Sequence, residues 1–404
     1  MARAIMALAA VLAASAALAQ GPNPAQLSDG FPLPPSIAFS EWRQVARTDS
    51  YSEFRQVFPS AVASRFPAND TIELQVFLPT DAVGSPPVAI LLHFWGATDN
   101  ALERDLAVEL ASRGIASVVM PLPYHLTRTP AGYRSGELAI QPDPEELKQT
   151  MRQSVSDVQR TVDWIQSRRE FAGSSIGVTG VSLGAIVSSL VFAVEPRIKS
   201  ASFLLGGADL AHILMHSSRT VTQRRILESQ GWTEDKLREN LRPIEPLTYL
   251  SPGDLRPAYV IEARNDTVVP PEDADKLASA LANHTVLTLE TGHYGGFLVK
   301  DRLIRSIAAF FDATLRGRPF SAPSKFYSPT IRFSLMADTQ NGLQIGAGLD
   351  IWRSNDRSDI FATGFLTPTG PQAYFGFQLG KGVSLGAMFS RRGTSPGLVW
   401  STIF

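Results

Sequence analysis

Three polar side chains far apart in the chain, Ser182, Asp266 and His293, are of the types that make an alcohol oxygen attack a carbonyl carbon. Ser182 lies in Gly180-Val181-Ser182-Leu183-Gly184, a GxSxG string whose small flanking residues permit a sharp turn between a strand and a helix. A serine hydroxyl is inert near neutral pH unless a base takes its proton, and the string alone equally suits a plain strand-to-helix turn. Asp266 stands in Ala263-Arg264-Asn265-Asp266-Thr267-Val268-Val269-Pro270, where the ordinary role of an aspartate is to cap a turn. His293 stands in Thr291-Gly292-His293-Tyr294-Gly295-Gly296, among glycines that let the ring lean toward a neighbouring loop. In that order the three suit a nucleophile, a carboxylate that orients the imidazole, and a general base.

Other residues compete for these roles. Asp209 could supply the carboxylate in place of Asp266. Asp209, His212 and His216 could also share one helical face and hold a metal, because residues four apart are neighbours on a helix. No acidic general base accompanies them, so packing of a surface or cap helix is the expected role, and the site is expected to need neither metal nor cofactor. His93, in His93-Phe94-Trp95-Gly96, either packs its loop or shapes a turn that faces the serine.

The surrounding elements decide whether the three meet. A half-buried strand is expected at Ile72 to Leu78, after one at Phe54 to Phe58, from alternating apolar residues. From Val88 the pattern changes to continuous apolar runs alternating with helical periods. These are strands at Val88 to Phe94, Ile115 to Met120, Ser175 to Val181, Ile198 to Leu205, Ala258 to Ala263 and Thr285 to Leu289. Helices are expected at Ala101 to Arg113, Glu145 to Arg168, Ala185 to Val194, Glu272 to Leu281 and Leu303 to Leu315. Such alternation means a mostly parallel sheet flanked by helices, an α/β fold. Ser182, Asp266 and His293 then follow three strand ends at one carboxyl edge.

Across roughly Phe54 to Gly317 the chain resembles the α/β-hydrolase superfamily of serine esterases and lipases. The resemblance implies Ser182 as nucleophile, Asp266 as acid and His293 as base. His93-Phe94-Trp95-Gly96 is similar to the family's oxyanion loop, with Trp95 where many relatives carry glycine, so the implied oxyanion hole uses the amides of Leu183 and Trp95. The segment Leu210 to Leu250, helical in period and rich in Arg and Glu, lies where a cap is inserted, about residues 210–252. An apolar inner face on that cap would favour lipophilic acyl chains.

Beyond residue 324 glycine rises and the helical period disappears. Six strands are expected, clearest at Leu343-Ile345-Ala347-Leu349-Ile351 and Val383-Leu385-Ala387-Phe389, forming an antiparallel β module over 324–404. The run Leu398 to Phe404, with its aromatic end, resembles the last strand of outer-membrane β-barrels. Six strands fall short of the eight in small single-chain barrels, so spanning is expected to need more strands or several chains, and a sheet packed on the hydrolase is the competing expectation.

The N-terminus carries Arg3, an apolar run from Ala4 to Leu18 and Ala17-Leu18-Ala19 before Gln20, the pattern of a signal peptide over residues 1–19. A Pro-rich stretch through Pro35 reads as linker, within a Pro-rich N-terminal segment, 20–53, that leaves 54–320 for the hydrolase domain. There is no cysteine, which excludes disulfides, thiolate metal sites and a cysteine nucleophile. A net charge of -1 gives no field to draw the chain to nucleic acid. The expected protein is an exported serine hydrolase, periplasmic, secreted or attached to the outer membrane, that cleaves small-molecule or lipid esters through an acyl-enzyme. The alternative is a non-catalytic envelope protein that keeps the fold.

Overall fold

The computed structural model describes residues 30–404, apart from 82–83, 324–325, 354–359 and 381. The segment expected to be a signal peptide, 1–19, lies outside the described residues. Nine strands form the main sheet: β1 (Arg43–Arg47), β2 (Tyr51–Pro59), β3 (Thr71–Pro79), β4 (Val88–Leu92), β5 (Ala116–Met120), β6 (Ile176–Val181), β7 (Ile198–Leu204), β8 (Ala258–Ala263) and β9 (His284–Leu289). Their order is β1-β2-β3-β5-β4-β6-β7-β8-β9, antiparallel as far as the β3/β5 pair and parallel from β5 to β9.

The sheet begins earlier than the apolar pattern suggests. β1 falls inside the N-terminal segment, 20–53, placed before the domain, and its five residues, Arg-Gln-Val-Ala-Arg, are all exposed. Such an edge strand buries no face, so it leaves no alternation to read. It is held instead by pairing with β2 and by Trp42 just before it, which stacks on Phe54 with ring centroids 4.2 Å apart.

Helices cover both faces. Helix α1 (Ala101–Ser112) follows β4, α2 (Pro144–Ser167) precedes β6, and α3 (Leu183–Val194) leaves β6. Between β7 and β8 come the four short helices α4 (Leu210–His216), α5 (Val221–Ser229), α6 (Glu234–Leu241) and α7 (Pro246–Tyr249), which are the expected cap insertion. Helices α8 (Pro271–Ala280) and α9 (Lys300–Thr314) complete the fold. One core packs α2, α3 and α8 on the sheet through Val158, Val162, Leu190 and Leu277, and a second packs α1 and α9 on the opposite face through Leu106, Leu110, Ile307 and Phe311. The continuous apolar runs of β4 and β5 exist because both of their faces are covered.

The last six strands are β10 (Ile331–Asp338), β11 (Gly342–Arg353), β12 (Ile360–Thr367), β13 (Gly370–Gly380), β14 (Val383–Ser390) and β15 (Gly393–Ile403). Each pairs antiparallel with the next, and β10 also pairs with β15, so the sheet closes into a barrel. Closure is reached within one chain by six strands, without the further strands or chains that spanning was expected to need. The interior is narrow enough to be filled by a few side chains and by bare backbone: a Cβ on inward-facing Gly386 would run into the main chain of Phe375 and Gly376. Met336, Phe361, Phe365, Tyr374, Met388 and Val399 occupy the middle of the barrel.

Candidate active site

The turn after β6 carries Ser182 with φ 54° and ψ -113°, a strained conformation for a residue with a side chain. The strain is fixed from both sides. The Ser182 amide donates to the Leu204 carbonyl on β7 at 2.8 Å, and a Cβ on Gly184 would strike the carbonyls of Leu92 and His93. This close approach of α3 to β4 explains the glycine and points the Ser182 hydroxyl away from the sheet.

The loop after β8 holds Asp266. Its Oδ1 accepts the amides of Val268 and Val269, both at 2.8 Å, which leaves Oδ2 to accept the Nδ1 proton of His293 at 2.6 Å. His293, on the loop after β9, accepts the Ser182 hydroxyl at Nε2 over 3.1 Å. The Asn265 amide donates to the Thr291 carbonyl at 3.0 Å and ties the two loops together. All three side chains are buried. One imidazole thus bridges a carboxylate and an alcohol, with its tautomer set by the carboxylate.

Leu183 and Trp95, the residues expected to supply the oxyanion amides, border one small apolar cluster. Leu183 opens α3, in the first turn of a helix, where amides have no intrahelical partner. Trp95 packs with Leu183 against one small cluster of Tyr124, Leu138 and Ala139. Its indole donates to the Gly136 carbonyl at 2.8 Å, its carbonyl accepts from Arg219 of the cap at 2.9 Å, and the Arg219 guanidinium lies over the ring at 4.7 Å. The neighbouring Gly96 amide is already engaged, donating to Nε2 of His125 at 3.0 Å.

His93 proves to be part of this scaffold. It donates from Nδ1 to the Phe94 carbonyl at 2.9 Å and accepts the Leu122 amide at Nε2 over 3.0 Å. His125 repeats the arrangement, donating to the Pro123 carbonyl at 2.8 Å. Both rings act as neutral spacers between backbone segments, and burial pushes His93 down to about 4 and His125 down to about 3. Sequence reasoning missed His125 and Arg219. Neither sits in a recurrent spacing, because each acts on a loop distant in the chain.

The competing assignments fall to other duties. Asp209 caps α4 by accepting the His212 amide, and it pairs with Arg238 at 3.2 Å and Lys276 at 2.8 Å, so it is not the partner of His293. His212 faces Asp273 at 2.7 Å and His216 faces Glu234 at 2.8 Å. Among the described residues no group of three or more metal-ligating side chains converges.

A narrow apolar pocket of about 50 Å³ opens beside His293. Leu102, Leu106, Val181, Leu205, Phe297 and Leu303 line it, between α1, α9 and the sheet. It does not lie under the cap, contrary to the expectation for the lipophilic face. Leu210, Ile213, Leu214 and Leu227 of the cap instead join the main core. Glu103 also borders the pocket, and neither of its carboxyl oxygens has a hydrogen-bond partner among the described residues.

Comparisons with known proteins agree with this architecture. Two uncharacterized proteins of Mycobacterium tuberculosis are each 28% identical to the chain over 192 residues, covering 45% of this chain and 43% of their own. The chain therefore spans less than half the length of these relatives. Among solved structures, the acetyl xylan esterase from Paenibacillus sp. R4 superposes with a TM-score of 0.52 at 18% identity, over 72% of this chain and 92% of that one. Acetyl xylan esterase 1 from Thermoanaerobacterium sp. superposes with a TM-score of 0.54 at 15% identity, over 70% and 93%. At such identities the likeness is one of fold. The family described as alpha/beta hydrolase domain containing 18 matches residues 28–241, more than half of the chain, and with the parallel sheet and its strand-end loops in place this protein belongs to that family.

Proposed function

We propose that this protein is a serine hydrolase that cleaves carboxylic esters through an acyl-enzyme. The observation that carries the reading is His293 held between Asp266 at 2.6 Å and Ser182 at 3.1 Å. As the Ser182 oxygen bonds to the ester carbonyl carbon, its proton passes to Nε2 of His293, and Asp266 stabilises the imidazolium that forms. The carbonyl oxygen gains negative charge and meets the amides of Leu183 and Trp95. His293 then gives its proton to the departing alcohol oxygen, leaving an ester on Ser182. Water repeats the sequence, with His293 taking its proton, and releases the carboxylic acid.

Esters are the favoured class because the two solved neighbours reported above are named as esterases and because the space beside His293 is apolar. That lining suits lipophilic acyl chains better than charged ones. The N-terminal charge, apolar run and small-x-small site support export, which N-terminal sequencing of the mature protein tests by the loss of residues 1–19. The activity itself is tested with a fluorophosphonate probe. The wild type is labelled covalently and Ser182→Ala is not; equal labelling of the two removes the assignment.

A further inference from the structure

We propose that the C-terminal barrel is a lipid-embedded module, its outer wall facing the hydrocarbon of a bilayer and its far tips reaching anionic headgroups. A soluble barrel keeps its apolar side chains inside and its polar ones outside. This one has an apolar middle, but its outer wall is apolar as well. Among the described residues of β10 to β15, no outward-facing position carries a charged side chain, and Thr394 and Thr402 are the polar exceptions in an otherwise apolar wall. Leu343, Ile345, Ile351, Leu366, Leu379 and Trp400 are each more than half exposed.

The charges and amides of the strands have been turned inward. Arg332 donates to Asp350 at 2.6 Å, Gln344 and Gln372 hydrogen-bond each other at 3.0 Å, and Ser334 meets Ser401 at 2.7 Å. Each pairing satisfies a polar group that would be costly to leave open in a narrow interior. Closure matters equally. With β10 paired to β15, the wall presents no free strand edge, and a spanning sheet needs this in a medium without water.

Size and charge fit the same occupant. Strands of 8 to 12 residues, at about 3.3 Å per residue and a tilt near 40°, rise roughly 20–30 Å, the height of an apolar band in membrane barrels. Phe333, Trp352, Phe377 and Trp400 lie in the half of the wall nearer the hydrolase domain, where a headgroup boundary would fall. At the opposite end the three tight turns carry Arg391 and Arg392, against the single carboxylate of Asp338, which is taken up in capping the β10–β11 turn, a net positive tip that complements anionic lipid. A second copy of the chain is the weaker occupant. The apolar surface runs round all six strands of the closed barrel, and one partner across a two-fold axis would cover a single side. Among the described residues no helix is long and apolar enough to cross a membrane.

The test uses the full chain, purified in detergent and diluted into vesicles of phosphatidylethanolamine and phosphatidylglycerol. The wild type is expected to float with the vesicles after an alkaline carbonate wash, and the double variant Leu335→Arg, Leu385→Arg to float at least ~10-fold less. Because that variant could fail to fold, the wild type is also read directly. Tryptophan emission is expected to be quenched by brominated acyl chains, and the quenching to be lost in Trp352→Phe, Trp400→Phe. Release of the wild type by carbonate, emission indifferent to brominated lipid, or flotation unchanged by the two arginines would each overturn the proposal. So would a defined oligomer, soluble without detergent or lipid, that buries the wall between copies. None of these readouts uses turnover, so their failure is distinct from failure of the hydrolase reading.

Discussion

The main-chain oxygen of Phe404, at the end of the barrel's sixth strand, accepts the amide of Gly292, the residue before His293, at 3.0 Å. The Thr291 hydroxyl donates to the same oxygen at 2.8 Å, and the rings of Tyr294 and Phe404 lie 5.7 Å apart. On the other side of the loop, Ser328 accepts the Glu290 amide at 2.7 Å and Thr330 donates to the Glu290 carbonyl. The proposed base is therefore seated by residues of the β module as well as by the sheet that presents it.

Thr291 is accordingly a positioning residue. Thr291→Val is expected to lower kcat about 3- to 10-fold with KM nearly unchanged, since the loop would hold His293 less well without altering the binding surface. Thr291→Ser, which keeps the hydroxyl, is expected to restore kcat. Steady-state kinetics on a soluble aryl ester measure both, and an unchanged kcat in Thr291→Val would show that the seat has no catalytic weight.

The carboxylate assignment is tested by a matched pair. Asp266→Asn is expected to reduce kcat by ~10³-fold or more, because an amide at this position can donate to Nδ1 and so hold the imidazole in the wrong tautomer. Asp209→Asn is expected to stay within about threefold of wild type, because Asp209 is engaged with Arg238 and Lys276. Reversal of that ranking would return the role to Asp209.

His93 and His125 make stability fall toward acid pH. Both are held below the ordinary histidine value of 6.5, at about 4 and about 3, so the folded state keeps them neutral where the unfolded chain takes up protons. Their contribution is fully present above 6.5 and declines as pH drops toward 4. The urea midpoint is expected to be lower at pH 5 than at pH 7, with a shallower decline in His125→Gln. That variant retains an acceptor for the Gly96 amide, so its turnover should remain near wild type.

Glu103 acts with the opposite sign. Burial raises its carboxyl from 4.5 to about 7, so the folded state holds the proton more tightly than the unfolded chain does. The favourable contribution is complete below 4.5 and is lost as pH rises through 7. In thermal unfolding, Glu103→Gln is expected to match wild type near pH 4.5 and to exceed it by a few degrees at pH 8. A difference that does not grow with pH would mean that the carboxyl is solvated in solution.

Much of this molecule is legible in one dimension, for identifiable reasons. β4 to β8 are readable because covered parallel strands leave mostly apolar runs, and the GxSxG turn because close packing at Gly184 tolerates nothing larger. β1 escapes because an exposed edge strand buries no face. Barrel closure escapes because it depends on Arg332 finding Ile403, and no local pattern encodes a pairing across 71 positions. His125 and Arg219 are invisible for a related reason: each holds the backbone around Trp95 from a distant loop, so its importance lies in where the chain folds back.

The seat around His293 also imposes a timetable. β15 is synthesised after every element it touches, so the loop that presents the imidazole can be built, and even exposed, long before the oxygen that steadies it arrives. A nascent or truncated chain would carry the serine, the carboxylate and the ring without the contacts that seat the imidazole loop. Seating of that loop and closure of the β module become one event.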